Sequence, residues 1–187
     1  DTMEVQLDGI VEWLKAGGIA SICEDGVEAD DAIATLARQS EVAGRFTVIV
    51  SPDKDFMQLV NKCIGILNPN DKTGTIWRDE QVFHKSGVQP GQIVDWLSLV
   101  GDAVDDIPGV SGVGPKTAAK WLGQFETLDA LLDRIDEVQP ERFRISLADM
   151  RDDLIRNQQL VRLRENLPLP TAPSDFSIGS TDYNQLR

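Results

Sequence analysis

Two short segments of the chain are apolar at nearly every position, FTVIV at residues 46–50 and CIGIL at 63–67. Such runs are typical of strands that are covered on both faces, as in a parallel sheet. A segment with helical spacing lies between them at 56–60, and another short apolar run at 19–23 precedes a helical pattern at 28–37. This alternation of strands and helices predicts an α/β fold with a doubly wound, mostly parallel sheet.

The pattern changes at residue 101. Glycines are concentrated between 101 and 114, and the segments that follow have the period of short helices, beginning with KTAAKWL at 116–122. The segment LVRLRENL at 160–167 is predicted to return as a strand, and the polar, proline-containing end of the chain indicates a linker or tail. We therefore predict three parts: an α/β core over 1–100, a helical hairpin domain over 101–157, and a strand with a tail over 158–187.

The charge of the chain is unevenly distributed. The net charge is −13, and residues 1–110 carry 19 acidic and 8 basic side chains, whereas residues 111–187 carry 12 and 10. An acidic surface keeps a protein soluble, but acids concentrated in one part of a chain also indicate a cluster that binds cations. The single histidine, His84, argues against most zinc hydrolases and Ser-His-Asp enzymes. No apolar run approaches the roughly 18 to 20 residues of a membrane span.

Three acidic groups follow predicted strands or helices, at the edge where α/β sheets build their sites. They contain seven candidate metal ligands: Glu28, Asp30, Asp31, Asp53, Asp55, Asp102 and Asp105. Each group alone is explained as a helix cap or a turn. Brought together, carboxylates about 5 Å apart repel by roughly 3 kcal/mol per pair. Because their ligands are all oxygens, such a cluster favours Mg²⁺ or Mn²⁺, and two such ions stabilise the attacking and leaving oxygens of a phosphodiester.

The glycine-rich segment GVSGVGPKT at 109–117 superficially resembles a phosphate-binding P-loop. That motif needs a glycine directly before the lysine and a strand before the loop, and both are absent from the sequence. The segment instead predicts a helix-hairpin-helix, in which Gly112 and Gly114 expose backbone N–H groups at the start of a helix. Lys116 and Lys120 lie on one face of that helix and would neutralise DNA phosphates without reading bases.

These motifs together resemble the 5′-nuclease family, which includes the N-terminal domain of bacterial DNA polymerase I, stand-alone 5′-3′ exonucleases and flap endonucleases. The resemblance covers nearly the whole chain and rests on four motifs in order: GVEADDAIATLA, SPDKDFMQLV, GDAVDDIPGVSGVGPKTAAKWL and LVRLRENLPLP. It implies a PIN-like α/β nuclease core followed by a helix-three-turn-helix. It also implies a bacterial, cytoplasmic, Mg²⁺-dependent 5′-3′ deoxyribonuclease of replication and repair that acts on branched or 5′-ended duplex DNA. We expect a monomer, with a DNA polymerase as a partner in cis or in trans.

By the same resemblance, Glu28, Asp30 and Asp31 hold a first metal ion. The resemblance assigns a second ion to four aspartates: Asp53, Asp55, Asp102 and Asp105. The hairpin would contact DNA through Gly112, Gly114, Lys116, Thr117 and Lys120. It would also hold a K⁺ ion through backbone carbonyls near Pro108, Val110 and Val113.

The sequence departs from the family in two places. Family members begin with a strand that carries an aspartate, followed by a second aspartate and a basic arch, and we expect this chain to lack these parts. Asp106 stands where the polymerase-associated members usually have asparagine. The first departure leaves the activity of this chain on its own open.

Two other functions remain open from the sequence. The spacing DxD at 53–55 and GDxxD at 101–105 is similar to that of a haloacid-dehalogenase phosphatase, but Phe56 and Met57 follow the second aspartate and the hairpin has no role there. The other alternative is a non-catalytic module that binds branched DNA. Cleavage of a small phosphomonoester would indicate the phosphatase, and DNA binding without cleavage would indicate the module.

Overall fold

The computed structural model describes residues 3–169, 172 and 176–184. The elements, in chain order, are α1 (Met3–Ala16), α2 (Ala29–Val42), β1 (Thr47–Val50), β2 (Ile64–Leu67), β3 (Ile76–Trp77), α3 (Asp79–Ser86), α4 (Ile93–Val100), α5 (Pro115–Phe125), α6 (Leu128–Asp133), α7 (Arg142–Asp149) and α8 (Arg151–Val161). Short 3-10 helices span Asp55–Leu59, Pro90–Gln92 and Ile135–Glu137. No helix within the described ranges is long and apolar enough to cross a membrane.

The sheet has β2 at its centre. β1 pairs with β2 in parallel, with Thr47 opposite Ile64 and Val50 opposite Leu67, and β3 pairs with β2 in the antiparallel direction. Ile64 and Ile66 are buried because helices and loops cover the sheet. The apolar runs at 46–50 and 63–67 therefore form the parallel pair that the sequence predicts, and the α/β class is confirmed.

The helical second half packs onto the α/β part through one continuous core. α4 lies between the two, and α8 and α5 both pack against it. Trp96 of α4 is buried and donates from Nε1 to the Pro115 carbonyl oxygen at 3.2 Å, which fixes the start of α5. Trp121 of α5 packs edge-on against Phe143, with ring centroids 5.3 Å apart. The domain limits at residues 100 and 157 remain predictions.

Two predictions of strands, at 19–23 and at 160–167, are wrong. Residues 19–24 run without regular secondary structure, and the only described neighbour of β1 is β2. An apolar run favours an extended backbone, but a strand also needs a neighbour with which to exchange hydrogen bonds.

The second wrong strand is the one at 160–167. Helix α8 extends to Val161, and the backbone N–H groups that follow donate to side chains instead of to a neighbouring strand. The N–H of Leu163 donates to Gln58 Oε1, that of Arg164 to Asp31 Oδ1, and that of Leu167 to Thr35 Oγ1. The segment is thus tied to α2 and to the first 3-10 helix by polar side chains, which apolar patterning does not reveal.

Part of the predicted tail contacts the end of α1. The N–H of Gly179 donates to the Gly18 carbonyl and that of Asp182 to the Ala16 carbonyl, both at 2.8 Å. Residues 170–171, 173–175 and 185–187 of the predicted tail lie outside the described residues.

Replacing Gly109 with alanine tests the tightest backbone contact of the fold. The new Cβ would lie 2.0 Å from the Val100 carbonyl oxygen. We expect the free energy of unfolding to fall by about 3 kcal/mol, since overpacking against atoms that cannot yield costs on this order. In the matched control Gly123→Ala, inside α5, no atom beyond the neighbouring backbone of the same helix lies within 4 Å of the new Cβ. That change should raise the free energy of unfolding by up to about 1 kcal/mol. Urea unfolding measures both, and a Gly109→Ala protein as stable as the wild type would contradict the contact.

Candidate metal centre and hairpin

Three of the predicted ligands converge at one edge of the sheet. Asp55, Asp102 and Asp105 each place a carboxylate oxygen within 4.8 Å of the other two. Asp55 starts the 3-10 helix that follows β1, while the other two lie in the loop after α4. The chain therefore brings together residues about fifty positions apart, as the position of the acidic groups beyond the strand predicts.

The loop after α4 is closed by contact between two glycine backbones. Gly101 has a φ of 79°, and a Cβ there would lie 2.3 Å from the Gly109 nitrogen. Within the loop, Asp102 and Ile107 exchange both of their backbone hydrogen bonds. Asp106 has a φ of 53°, a left-handed conformation that aspartate and asparagine tolerate better than most residues. This closure fixes the direction from which Asp102 enters the acidic centre.

Asp55 has an unusual environment. Its Oδ1 is buried and has no hydrogen-bond partner among the described residues. Burial raises the pKa of Asp55 to about 7, and the negative charge of Asp53 adds to the effect. A buried carboxylate oxygen without a donor is costly unless a proton or a cation binds it.

Lys54 brings a positive charge to the converging carboxylates, and the sequence pattern was not used to predict this role. Its Nζ lies 2.7 Å from Oδ2 of the buried Asp102, whose Oδ1 accepts from the Val104 N–H. Burial acts to raise the pKa of Asp102, but these hydrogen bonds outweigh it and hold the pKa below its ordinary value. The signal in the sequence is the lysine between the two aspartates of SPDKD.

Asp30 and Asp53 lie near the three converging carboxylates, and Glu28 lies near Asp30. Glu28 is the N-cap residue of α2 and Asp30 lies in its first turn. Partial burial and the charges of Asp53 and Glu28 raise the pKa of Asp30, to which Asp105 also contributes. Asp53 is exposed, and its Oδ1 accepts from the Asp55 N–H at 2.9 Å. The two acidic groups are thus close enough to form one electrostatic unit.

Asp31 is oriented differently from the other six candidates. Its Oδ1 accepts from the Arg164 N–H at 2.8 Å and its Oδ2 from Arg164 Nε at 2.5 Å. Both oxygens are therefore used by one residue. The assignment of Asp31 and of the other acids to particular metal ions remains a prediction.

The donor set fits a divalent cation. It consists of carboxylate oxygens, which Mg²⁺ and Mn²⁺ prefer, and it includes one buried oxygen that no described donor satisfies. Asp55, Asp102 and Asp105 could hold such an ion, which would also relieve their mutual repulsion. A bound divalent cation supplies Lewis acidity, which stabilises negative charge on a phosphodiester and makes water a better nucleophile.

The hairpin has the geometry that the sequence predicts. Gly112 has a φ of 75° and Gly114 is the N-cap residue of α5, which begins with Pro115. The N–H of Thr117 donates to the Gly114 carbonyl, and Lys116 and Lys120 are exposed on the first turns of the helix. A Cβ at Gly114 would meet no atom within 4 Å beyond its chain neighbours, so the space beside its α-carbon is open.

The carbonyls predicted to hold K⁺ lie in the hairpin turn and already accept hydrogen bonds in two cases. The Pro108 oxygen accepts from Asn157 Nδ2 at 2.9 Å, and the Val110 oxygen accepts from the Val113 N–H at 2.9 Å. A carbonyl oxygen has two lone pairs, so these bonds leave acceptor capacity. The K⁺ site remains a prediction.

Comparison with known proteins identifies the family. Residues 1–87 match the model described as "5'-3' exonuclease, N-terminal resolvase-like domain", and residues 88–184 match "5'-3' exonuclease, C-terminal SAM fold". The chain belongs to the 5′-3′ exonuclease family. The resemblance seen in the sequence and the two-part fold class are thereby confirmed.

Curated relatives of this family extend beyond the chain. The chain is 38% identical over 188 residues to a 5′-3′ exonuclease of Aquifex aeolicus, covering all of the chain and 63% of that protein. It is 36% identical over 191 residues to DNA polymerase I of Mycobacterium tuberculosis, again over its full length but over 21% of the polymerase. The chain thus spans less than two thirds of each.

Solved structures show the same fold at lower identity. The zinc-bound 5′-exonuclease of T5 matches 88% of the chain and 63% of its own chain, with a TM-score of 0.72 and 21% identity. The catalytic core of Rad2 in complex with a DNA substrate matches 100% of the chain and 64% of its own, with a TM-score of 0.65 and 22% identity.

The pKa of Asp55 predicts a pH dependence of stability in the absence of divalent metal. The folded protein holds this proton up to about pH 7, whereas an unfolded aspartate releases it near about pH 4. Because the folded state binds more protons between these values, this carboxyl lowers stability as the pH rises from about 4 to 7. Thermal unfolding in EDTA should show this decline, and Asp55→Asn should reduce it. An equal decline in the variant would show that Asp55 is not its source.

Proposed function

We propose that this protein hydrolyses phosphodiester bonds near the 5′ ends or flap junctions of DNA, as a metal-dependent 5′-3′ exonuclease and flap endonuclease. The observation that carries the proposal is the convergence of Asp55, Asp102 and Asp105, with the buried and unpartnered Oδ1 of Asp55 among them. A purely structural cluster would satisfy that oxygen with a donor from the protein.

The proposed metal ions are Mg²⁺ or Mn²⁺, two per site. The second aspartate group and the loop after α4 would hold one ion, and the first turn of α2 would contribute to the other. The all-oxygen donor set supports hard divalent cations. The proximity of Asp30 to Asp53 and Asp105 supports a shared site for both.

The hairpin is proposed to hold the duplex. Lys116 and Lys120 are exposed on one face of α5, the helix whose N-cap residue is Gly114. Since the loop that carries Asp102 runs directly into the hairpin, a duplex bound there would keep a fixed distance to the acidic centre. Such contacts reach phosphates and carry no base information, so the enzyme would select DNA structure and not sequence. A K⁺ ion at the hairpin carbonyls belongs to the same proposal.

The relatives suggest the setting of this activity. One is named DNA polymerase I, and the chain matches 21% of it, which supports a polymerase in cis or in trans as a partner. A Rad2 structure contains a DNA substrate, and the T5 structures include one with DNA and metal ions. These names support DNA as the substrate. Branched or 5′-ended DNA as its form, and replication and repair in the bacterial cytoplasm as the setting, are part of the proposal.

Asp53→Asn combined with Asp55→Asn tests the catalytic part of the proposal. Loss of a residue that only supports a metal ligand commonly costs about 10- to 100-fold in activity, so we expect this double change to lower Mg²⁺-dependent cleavage of a 5′-flap duplex by at least about a hundredfold. Binding of the same DNA in Ca²⁺ should be largely retained. Undiminished cleavage would reject the metal assignment, and a wild-type protein that binds but never cleaves would favour the non-catalytic module.

Lys116→Ala combined with Lys120→Ala tests the hairpin. Each lost phosphate contact should lower the slope of log affinity against log salt by about 1, so the slope should fall by about 2 for the pair. Lys62→Ala is the matched control, because Lys62 is exposed just before β2, at the opposite end of the sheet from the acidic centre. Fluorescence anisotropy measures DNA affinity as a function of salt concentration. An equal decrease of the slope in both proteins would argue against the hairpin as the duplex site.

A further inference from the structure

The segment that follows α8 lies along one face of α2. Asp31, Thr35 and Arg38 are four and three positions apart on the helix, so they share a face. Each contacts the segment: Asp31 binds Arg164, Thr35 donates from Oγ1 to the Arg164 carbonyl at 3.1 Å, and Arg38 Nε lies 2.7 Å from Glu165 Oε2. The segment and the helix are therefore joined by polar contacts over about two turns.

The contact nearest to the acidic centre is the one between Arg164 and Asp31. The Asp31 side chain is 8% exposed, whereas that of Arg164 is 55% exposed, so the buried partner is the one on the helix. Two hydrogen bonds, one from the backbone and one from the guanidinium, reach the two carboxylate oxygens. Such a two-point contact fixes the orientation of the carboxylate as well as its position.

The first turn of α2 needs such a restraint. Its N-cap residue, Glu28, makes no side-chain capping hydrogen bond to the described residues, and an uncapped helix end frays more easily. The same turn carries Asp30, which faces the negative charges of Asp53 and Asp105. Like charges repel, so Asp53 and Asp105 push this turn away from the acidic centre.

We infer that Arg164 is a positioning residue, which holds Asp31 and through it keeps Glu28 and Asp30 in place beside the other acids. This inference rests on the proposed function, because it concerns the binding of divalent metal at that centre. Arg164 does not itself contact the converging carboxylates; it acts on them through Asp31 and the first turn of α2.

The direction in which removal of Arg164 changes the affinity for a divalent cation distinguishes a positioning role from a purely electrostatic one. If Arg164 served only as a nearby positive charge, its removal would strengthen the binding of a divalent cation. If it positions the first turn, its removal weakens that binding, as the loss of residues that orient metal ligands commonly does. The affinity for the metal thus reports on positioning in a way that overall stability does not.

The ion pair between Arg38 and Glu165, which joins the same helix and segment, provides a matched control. Arg38 and Glu165 join the same helix to the same segment, but Arg38 is two helical turns further from the acidic centre. Glu165→Gln therefore weakens the attachment of the segment without freeing the first turn of α2. Arg164→Lys retains the charge and loses the planar guanidinium.

Titration of the purified proteins with Mn²⁺, followed by water-proton relaxation, tests the inference. We expect Arg164→Ala to weaken Mn²⁺ binding about 10- to 100-fold, Arg164→Lys to have an intermediate effect, and Glu165→Gln to bind like the wild type. Thermal unfolding in EDTA identifies any variant that fails to fold. If Arg164→Ala is such a variant, the comparison of Arg164→Lys with Glu165→Gln decides in the same way.

The outcomes distinguish the inference from the proposed function. A wild-type protein that binds no Mn²⁺ would overturn the proposed metal centre and this inference with it. A wild-type protein that binds Mn²⁺ while Arg164→Ala binds it equally well or more tightly would overturn the inference alone. Equal weakening in Glu165→Gln would also overturn it, since it would assign the effect to the attachment of the whole segment.

Discussion

The repulsion between carboxylates at one edge of the sheet is the constraint on which the rest of the structure depends. One carboxylate oxygen from each of Asp55, Asp102 and Asp105 lies within 4.8 Å of the other two, and Asp30 and Asp53 carry further negative charge nearby. The fold offsets part of this repulsion with two cations on the flanks: Lys54 binds Asp102, and Arg164 binds Asp31. Asp55 receives no such partner among the described residues, and it is the position at which an external cation is most favourable.

Backbone packing connects this acidic centre to the hairpin. Gly101 and Gly109 lie too close for any side chain, and the Val110 N–H donates to the Leu99 carbonyl at 2.9 Å. These contacts close the loop that carries Asp102 and direct the chain straight into the turn before α5. Metal binding and phosphate binding are thus proposed for two ends of one rigid segment, and its length sets the distance between them.

The sequence predicted the individual helices and strands and the candidate acidic ligands better than it predicted which segments hydrogen-bond to one another. The strands within the apolar runs at 46–50 and 63–67 pair in parallel as expected. The second strand is largely buried, whereas Phe46 and Val50 of the first run are exposed. The strand expected at 19–23 did not form, since no described strand lies beside it. At 160–167 the helix ends at Val161, and the N–H groups of Leu163, Arg164 and Leu167 donate to Gln58, Asp31 and Thr35. The amino-acid composition of a segment indicates which backbone conformation it prefers. It does not indicate which hydrogen-bond partner will lie next to the segment in the folded chain.

By itself, the sequence determined the α/β class, the glycine hairpin and the acids placed beyond the strands, because burial, turn conformation and charge are properties of short segments. Tertiary structure alone decided how these acids differ. It left one oxygen of Asp55 buried without a donor among the described residues, bound Asp102 to Lys54 and turned Asp31 towards Arg164, which is 133 residues away. The physical reason is that a carboxylate's pKa and availability depend on the charges and donors a few ångströms from it, and those come from distant parts of the chain.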